Sequence, residues 1–163
     1  YPHHSGCFGF TNWDDYEVLK NSRTMMDHFR AHGYQTLGTG KLMHHMVRGE
    51  WKSFGNRADY GPFAFDGEKK IAHPDVPAPY RDIGAVDGSF GPLVNLQGKK
   101  TAAGVSLTWQ TGGWAKQRTL RVTSQQDRDA TADELNGQWA VDQIRQRAGK
   151  SGQQPFFMGV FES

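Results

Sequence analysis

Lys41 and His44 are the residues whose types and spacing first suggest chemistry. They lie three positions apart in Gly40-Lys41-Leu42-Met43-His44, and His45 follows directly. A fixed cation beside an imidazole that titrates near neutrality suits the binding and protonation of an anionic ester. Taken alone, a lysine after a glycine is most often a solvated surface charge. His45 would replace His44 as the partner in a different loop register; it is read as a neighbour lining the pocket and touching the ligand.

The elements that must deliver these groups precede them. Ser22 is expected to cap a helix by accepting an early backbone N–H. Met25, Met26 and Phe29 share one helical face, which leaves Arg23, Asp27 and Arg30 toward solvent. His32 and Gly33 fit the C-terminal end of that helix. Tyr34-Gln35-Thr36-Leu37 reads as a short strand, and Gly38 and Gly40 permit a sharp turn and close approach of a ligand to the backbone. In open α/β sheets ligands sit beyond the carboxyl ends of the strands, where Lys41 and His44 fall.

The remainder divides in two. Residues 47–126 are rich in Gly, Pro, Trp and Phe and read as a long loop-rich insertion, of the kind that is functional or disordered. Within it, residues 71–80 are kept extended by their prolines. Residues 105–109 and 119–123 alternate like strands and are expected to form a hairpin. Residues 127–163 return to α/β. Thr131 and Glu134 form a capping-box pattern, opening a helix with Ala132, Leu135, Trp139 and Ile144 on its apolar face and an end near Gly149. Residues 155–161 are almost entirely apolar, as expected of a central strand covered on both faces.

Composition bounds the function classes. A chain of 163 residues with 36% hydrophobic residues, 20 glycines and 7 prolines has a modest core and much loop. Its mean hydropathy is −0.71. A net charge of +2 gives no argument for a nucleic-acid or membrane partner, and no apolar run reaches the ~20 residues of a membrane span. One cysteine, Cys7, excludes an internal disulfide framework. No histidine pair has metal-ligand spacing with a third ligand. His28 and His32 read as surface or cap residues, His3 and His4 lie at a chain end, and Asp14-Asp15 reads as a solvated loop or cap. Trp51, Trp109 and Trp114 are of a type that stacks on sugars, but packing onto the core is the simpler reading.

Several of these segments resemble the sulfatase family, in its iduronate-2-sulfatase-like branch. His32-Gly33-Tyr34-Gln35-Thr36 followed by Gly40-Lys41-Leu42-Met43-His44 looks like the family's G-Y-x-T and G-K-x-x-H region. Pro155-Phe156-Phe157-Met158-Gly159-Val160-Phe161 is similar to its P-F-F-L-x-V-x-F strand, and Asp127-Arg128-Asp129 sits where the family has a D-x-D-A segment before a helix. Asp59-Tyr60-Gly61-Pro62 and Asp87-Gly88-Ser89-Phe90-Gly91-Pro92-Leu93 resemble insertion loops of bacterial members.

The resemblance implies an alkaline-phosphatase-like α/β fold, here partial, with a mostly parallel sheet and flanking helices. It implies hydrolysis of sulfate esters, of sugars or polysaccharides, through a formylglycine nucleophile and calcium. Lys41 would contact the sulfate and the formylglycine region, and His44 would assist deprotonation or sulfate release. The nucleophile motif, Cys-x-Pro/Ala-Ser-Arg, does not occur: Cys7 lacks both the Pro or Ala and the Arg. The chain is therefore expected to be an internal fragment, with the nucleophile, the calcium ligands and the rest of the sulfatase domain outside it, and to be inactive alone. The family implies a periplasmic or secreted enzyme acting on a sulfated small molecule or glycan. Two alternatives stay open: a phosphate or phosphonate ester hydrolase of the same superfamily, and a non-catalytic module that binds an anionic glycan.

Overall fold

The computed structural model describes residues 2–43, 50–57, 61–83, 92–112 and 117–161. The fold is mixed α/β and contains two sheets. The first is parallel and three-stranded. Strand β1 (Gln35–Gly40) lies at its centre, flanked by β2 (Ser53–Arg57) and by β7 (Phe156–Val160). β1 and β7 run in unbroken register from Gln35 opposite Phe156 to Thr39 opposite Val160. The second sheet is antiparallel, in the order β4 (Lys70–Ile71), β3 (Phe63–Phe65), β5 (Thr108–Thr111), β6 (Arg118–Leu120).

A helix covers each face of the parallel sheet, and the strand pleat decides which residues each one meets. Helix α3 (Met25–Ala31) lies on the face of Phe157, whose ring stacks on Phe29 with centroids 4.3 Å apart. On the same face Trp51 and Leu42 lie over Gly38 and Gly159, which are register partners. A Cβ on Gly38 would come within 2.7 Å of the Trp51 ring, so the two glycines form a flat seat for the indole. Helix α4 (Ala132–Arg147) covers the opposite face, where Trp139 lies over Gly55 at a spacing that would leave a Cβ there only 2.6 Å from the ring.

Several expectations are corrected. The cap of α3 is Thr24, whose Oγ1 accepts the Asp27 N–H at 3.1 Å. Ser22 instead donates to Val18 O at 2.6 Å. A hydroxyl two residues nearer the helix start has the reach to the N3 amide that Ser22 lacks. Met26 is buried but Met25 is 58% exposed, so the apolar face is narrower than the spacing suggested. The C-terminal end is as expected: His32 is the C-cap and Gly33 has φ +83.

β7, expected at a sheet centre, is an edge strand among the described residues, with Phe156, Val160 and Phe161 36–45% exposed. The centre is β1, in which Thr36, Leu37 and Thr39 are fully buried. The strand itself extends through Gly38 to Gly40, so only Gly40, at φ +82, makes the turn.

The described residues in the middle of the chain form a second sheet that its composition did not suggest in full. The antiparallel sheet has its own core of Ala64, Leu93, Leu96, Leu107, Trp109 and Leu120, with Ile71 and Val122 against it. The expected hairpin is present but shifted: its strands are 108–111 and 118–120 rather than 105–109 and 119–123, and β5 pairs with β6 from Trp109 opposite Leu120 to Thr111 opposite Arg118. Trp109 is a core residue whose Nε1 donates to Leu93 O at 2.7 Å, and Trp51 is packed on the parallel sheet. Trp114 lies outside the described residues.

Candidate functional site at the carboxyl end of the parallel sheet

β1 ends at Gly40, and the next residue is Lys41, partly buried. β2 ends beside it: Arg57 is the register partner of Gly40. Two cationic residues therefore leave adjacent parallel strands at their carboxyl ends, the place where α/β sheets bind ligands. Nothing in the sequence pointed to Arg57, because Ser53-Phe54-Gly55-Asn56-Arg57 has neither the apolar run nor the alternation of a strand. His44 and His45 lie outside the described residues, as do Asp59, Tyr60 and residues 87–91 of the segments that resemble insertion loops.

A buried polar network underlies this end of the sheet. Thr39 Oγ1 donates to Asn136 Oδ1 at 2.7 Å and accepts the Asn56 N–H at 3.0 Å. Asn136 Nδ2 donates to Phe161 O at 3.4 Å. Thr39 is 0% and Asn136 3% exposed, so each polar group has its partner within the fold, as burial demands. The network also explains the orientation of α4. Asn136 and Ala140 face inward, while Leu135 and Ile144, expected on the apolar face, are 39% and 49% exposed. The sheet surface beneath α4 is made of Thr39 and Gly55, and small or hydrogen-bonding side chains fit it better than long apolar ones.

The carboxylates singled out by sequence serve local structure. Asp127 accepts from Arg121 Nη1 at 2.7 Å, and Asp129 Oδ2 accepts the Arg121 N–H at 2.9 Å. Arg128 grips Glu134 through both nitrogens at 2.5–2.6 Å. Those bonds, with the Thr131 N–H at 2.8 Å, hold the Glu134 carboxyl down to about 2. Asp14 and Asp15 are exposed on a 3-10 turn. Among the described residues no three His, Cys, Asp or Glu side chains converge on a point that would hold a metal ion. These residues do not fit a calcium site. Among the described residues Cys7 hydrogen-bonds within its own loop, its thiol lying 3.9 Å from Gly9 O and from Thr11 Oγ1. A polar cleft of about 400 Å³ opens at the other end of β1, lined by Gln35, Gln146, Arg147, Lys150, Gln153 and Gln154. It is a strand length away from Lys41.

Comparison with family models, curated proteins and solved structures gives no match.

Proposed function

We propose that this chain is part of the catalytic domain of a sulfuric ester hydrolase with an alkaline-phosphatase-like fold, acting on a sulfated sugar or polysaccharide outside the cytoplasm. The observation that supports it most is the exit of Lys41 and Arg57 from adjacent parallel strands at one end of the sheet, within a motif order that resembles the sulfatases.

In this reading Lys41 binds the sulfuryl oxygens, and its charge offsets the negative charge that grows on them as the ester bond breaks. Arg57 offers a second, planar donor set suited to tetrahedral oxyanions. His44 moves a proton on the nucleophile side of the reaction, and His45 lines the pocket. A formylglycine in the remainder of the domain would supply the nucleophilic oxygen.

The test uses the full-length natural polypeptide with 4-nitrophenyl sulfate and 4-nitrophenyl phosphate. Lys41→Met is expected to lower kcat/KM for the sulfate ester by about a hundredfold or more, the usual cost of one oxyanion contact. Turnover of the phosphate ester alone would move the reading to the phosphate or phosphonate hydrolases. Binding of a sulfated oligosaccharide with no turnover of either ester would make this a glycan-binding module.

A further inference from the structure

The Gly40–Lys41 turn is held from behind by one amide. Asn136, inside α4 and almost fully buried, engages β1 through Thr39 Oγ1 at 2.7 Å and the end of β7 through Phe161 O at 3.4 Å. Thr39 passes the connection to β2 by accepting the Asn56 N–H at 3.0 Å. The carboxyl ends of all three parallel strands are thereby tied to one side chain of the covering helix.

The space around the tie leaves little freedom. A Cβ on Gly40 would collide with Phe161 O and stand 3.2 Å from Asn136 Nδ2, and one on Gly55 would stand 2.7 Å from Thr39 Oγ1. Gly40 also adopts φ +82, a conformation that other residues rarely adopt. The direction in which the backbone enters Lys41 is set by this turn, and the turn is set by the strand ends that Asn136 joins.

We propose that Asn136 is a positioning residue for Lys41. It touches no substrate; it fixes the Gly40 turn and with it the point from which the Lys41 side chain reaches the anion. The proposal rests on the reading of Lys41 as the sulfate-binding cation.

The experiment compares Asn136→Ala, Thr39→Val, Thr39→Ser, Lys41→Met and Leu107→Val in the full-length polypeptide. It reads 4-nitrophenyl sulfate turnover per folded molecule, competition by inorganic sulfate, and thermal midpoint. Asn136→Ala and Thr39→Val are expected to lose tenfold or more in kcat/KM and to weaken inhibition by inorganic sulfate. The double variant should lose less than the two losses combined, because both break the Thr39–Asn136 bond although each also breaks one of its own. Thr39→Ser keeps the hydroxyl and should retain activity. Leu107→Val destabilises the other sheet and should lower the midpoint with kcat/KM unchanged. If Asn136→Ala does not fold, the contrast between Thr39→Val and Thr39→Ser carries the same test. Asn136→Ala and Thr39→Val with lowered midpoints but wild-type kcat/KM and sulfate inhibition, alongside an inactive Lys41→Met, would overturn the positioning role. Full turnover by Lys41→Met would overturn the sulfatase reading and this proposal with it.

Discussion

His73 carries a consequence that depends on one ring nitrogen. The imidazole is buried and stacks on Trp109 with centroids 5.4 Å apart. Its Nδ1 accepts the Asp75 N–H at 3.1 Å, and its Nε2 is buried with no hydrogen-bond partner among the described residues. A proton on Nδ1 would face that N–H, so the fold favours the neutral ring. Burial pulls its pKa below 6.5, against the Asp75 carboxylate 3.8 Å away and with the help of Lys99, which pairs with Asp75. The unfolded chain therefore takes up this proton more readily than the folded one, and stability is present above 6.5 and lost as pH falls below it. The thermal midpoint is expected to decline over that range, and His73→Phe should flatten the decline. An unchanged slope in that variant would assign the effect to other groups.

Helix α4 shows what was legible in the sequence and what was not. Its start was legible because capping is local: Thr131 Oγ1 accepts the Glu134 N–H, and Glu134 accepts the Thr131 N–H. Its buried face was not, because that face is decided by the polar Thr39 and the bare Gly55 of strands far away in sequence. The same contrast runs through the fold. β1 and the Gly33 helix end were readable, and with them the position of Lys41 just after the strand, since each depends on a few consecutive residues. Of the antiparallel sheet only the β5–β6 hairpin was readable; β3 and β4 were missed because they are three and two residues long, too short for a period to emerge. Arg57 and Asn136 were missed for a related reason, since only strand pairing and helix docking bring them to Gly40. Two outcomes are expected of the α4 start. Thr131→Ala should cost about 1 kcal/mol in chemical denaturation, the usual value of an N-cap. The folded state holds the Glu134 carboxyl near 2 against 4.5 in the ordinary group. Its contribution is thus present above pH 4.5 and lost as pH falls through about 2, and Glu134→Gln should remove that part of the acid sensitivity. Because Glu134 is half exposed and screened by solvent, the acid effect should be smaller than the capping effect.

At the scale of the whole molecule, the parallel sheet presents an apolar border among the described residues. Among the described residues β7 has a strand partner on one side only, and Phe156, Val160 and Phe161 are exposed along it. On the covering helix, Leu135, Val141 and Ile144 are exposed as well. No helix among the described residues is long and apolar enough to cross a membrane. An apolar edge with unpaired backbone groups recruits further strands, and the parallel sheet, fixed at its carboxyl end by Asn136, offers a rigid template for them. The isolated 163-residue chain is therefore expected to self-associate, with a sedimentation coefficient that rises with concentration. Val160→Lys places a charge on that edge without touching the Asn136 network and should shift the population toward monomer. A wild-type chain that sediments as a monomer at all concentrations and unfolds in one sharp transition would show that the exposed strand is not a site of association.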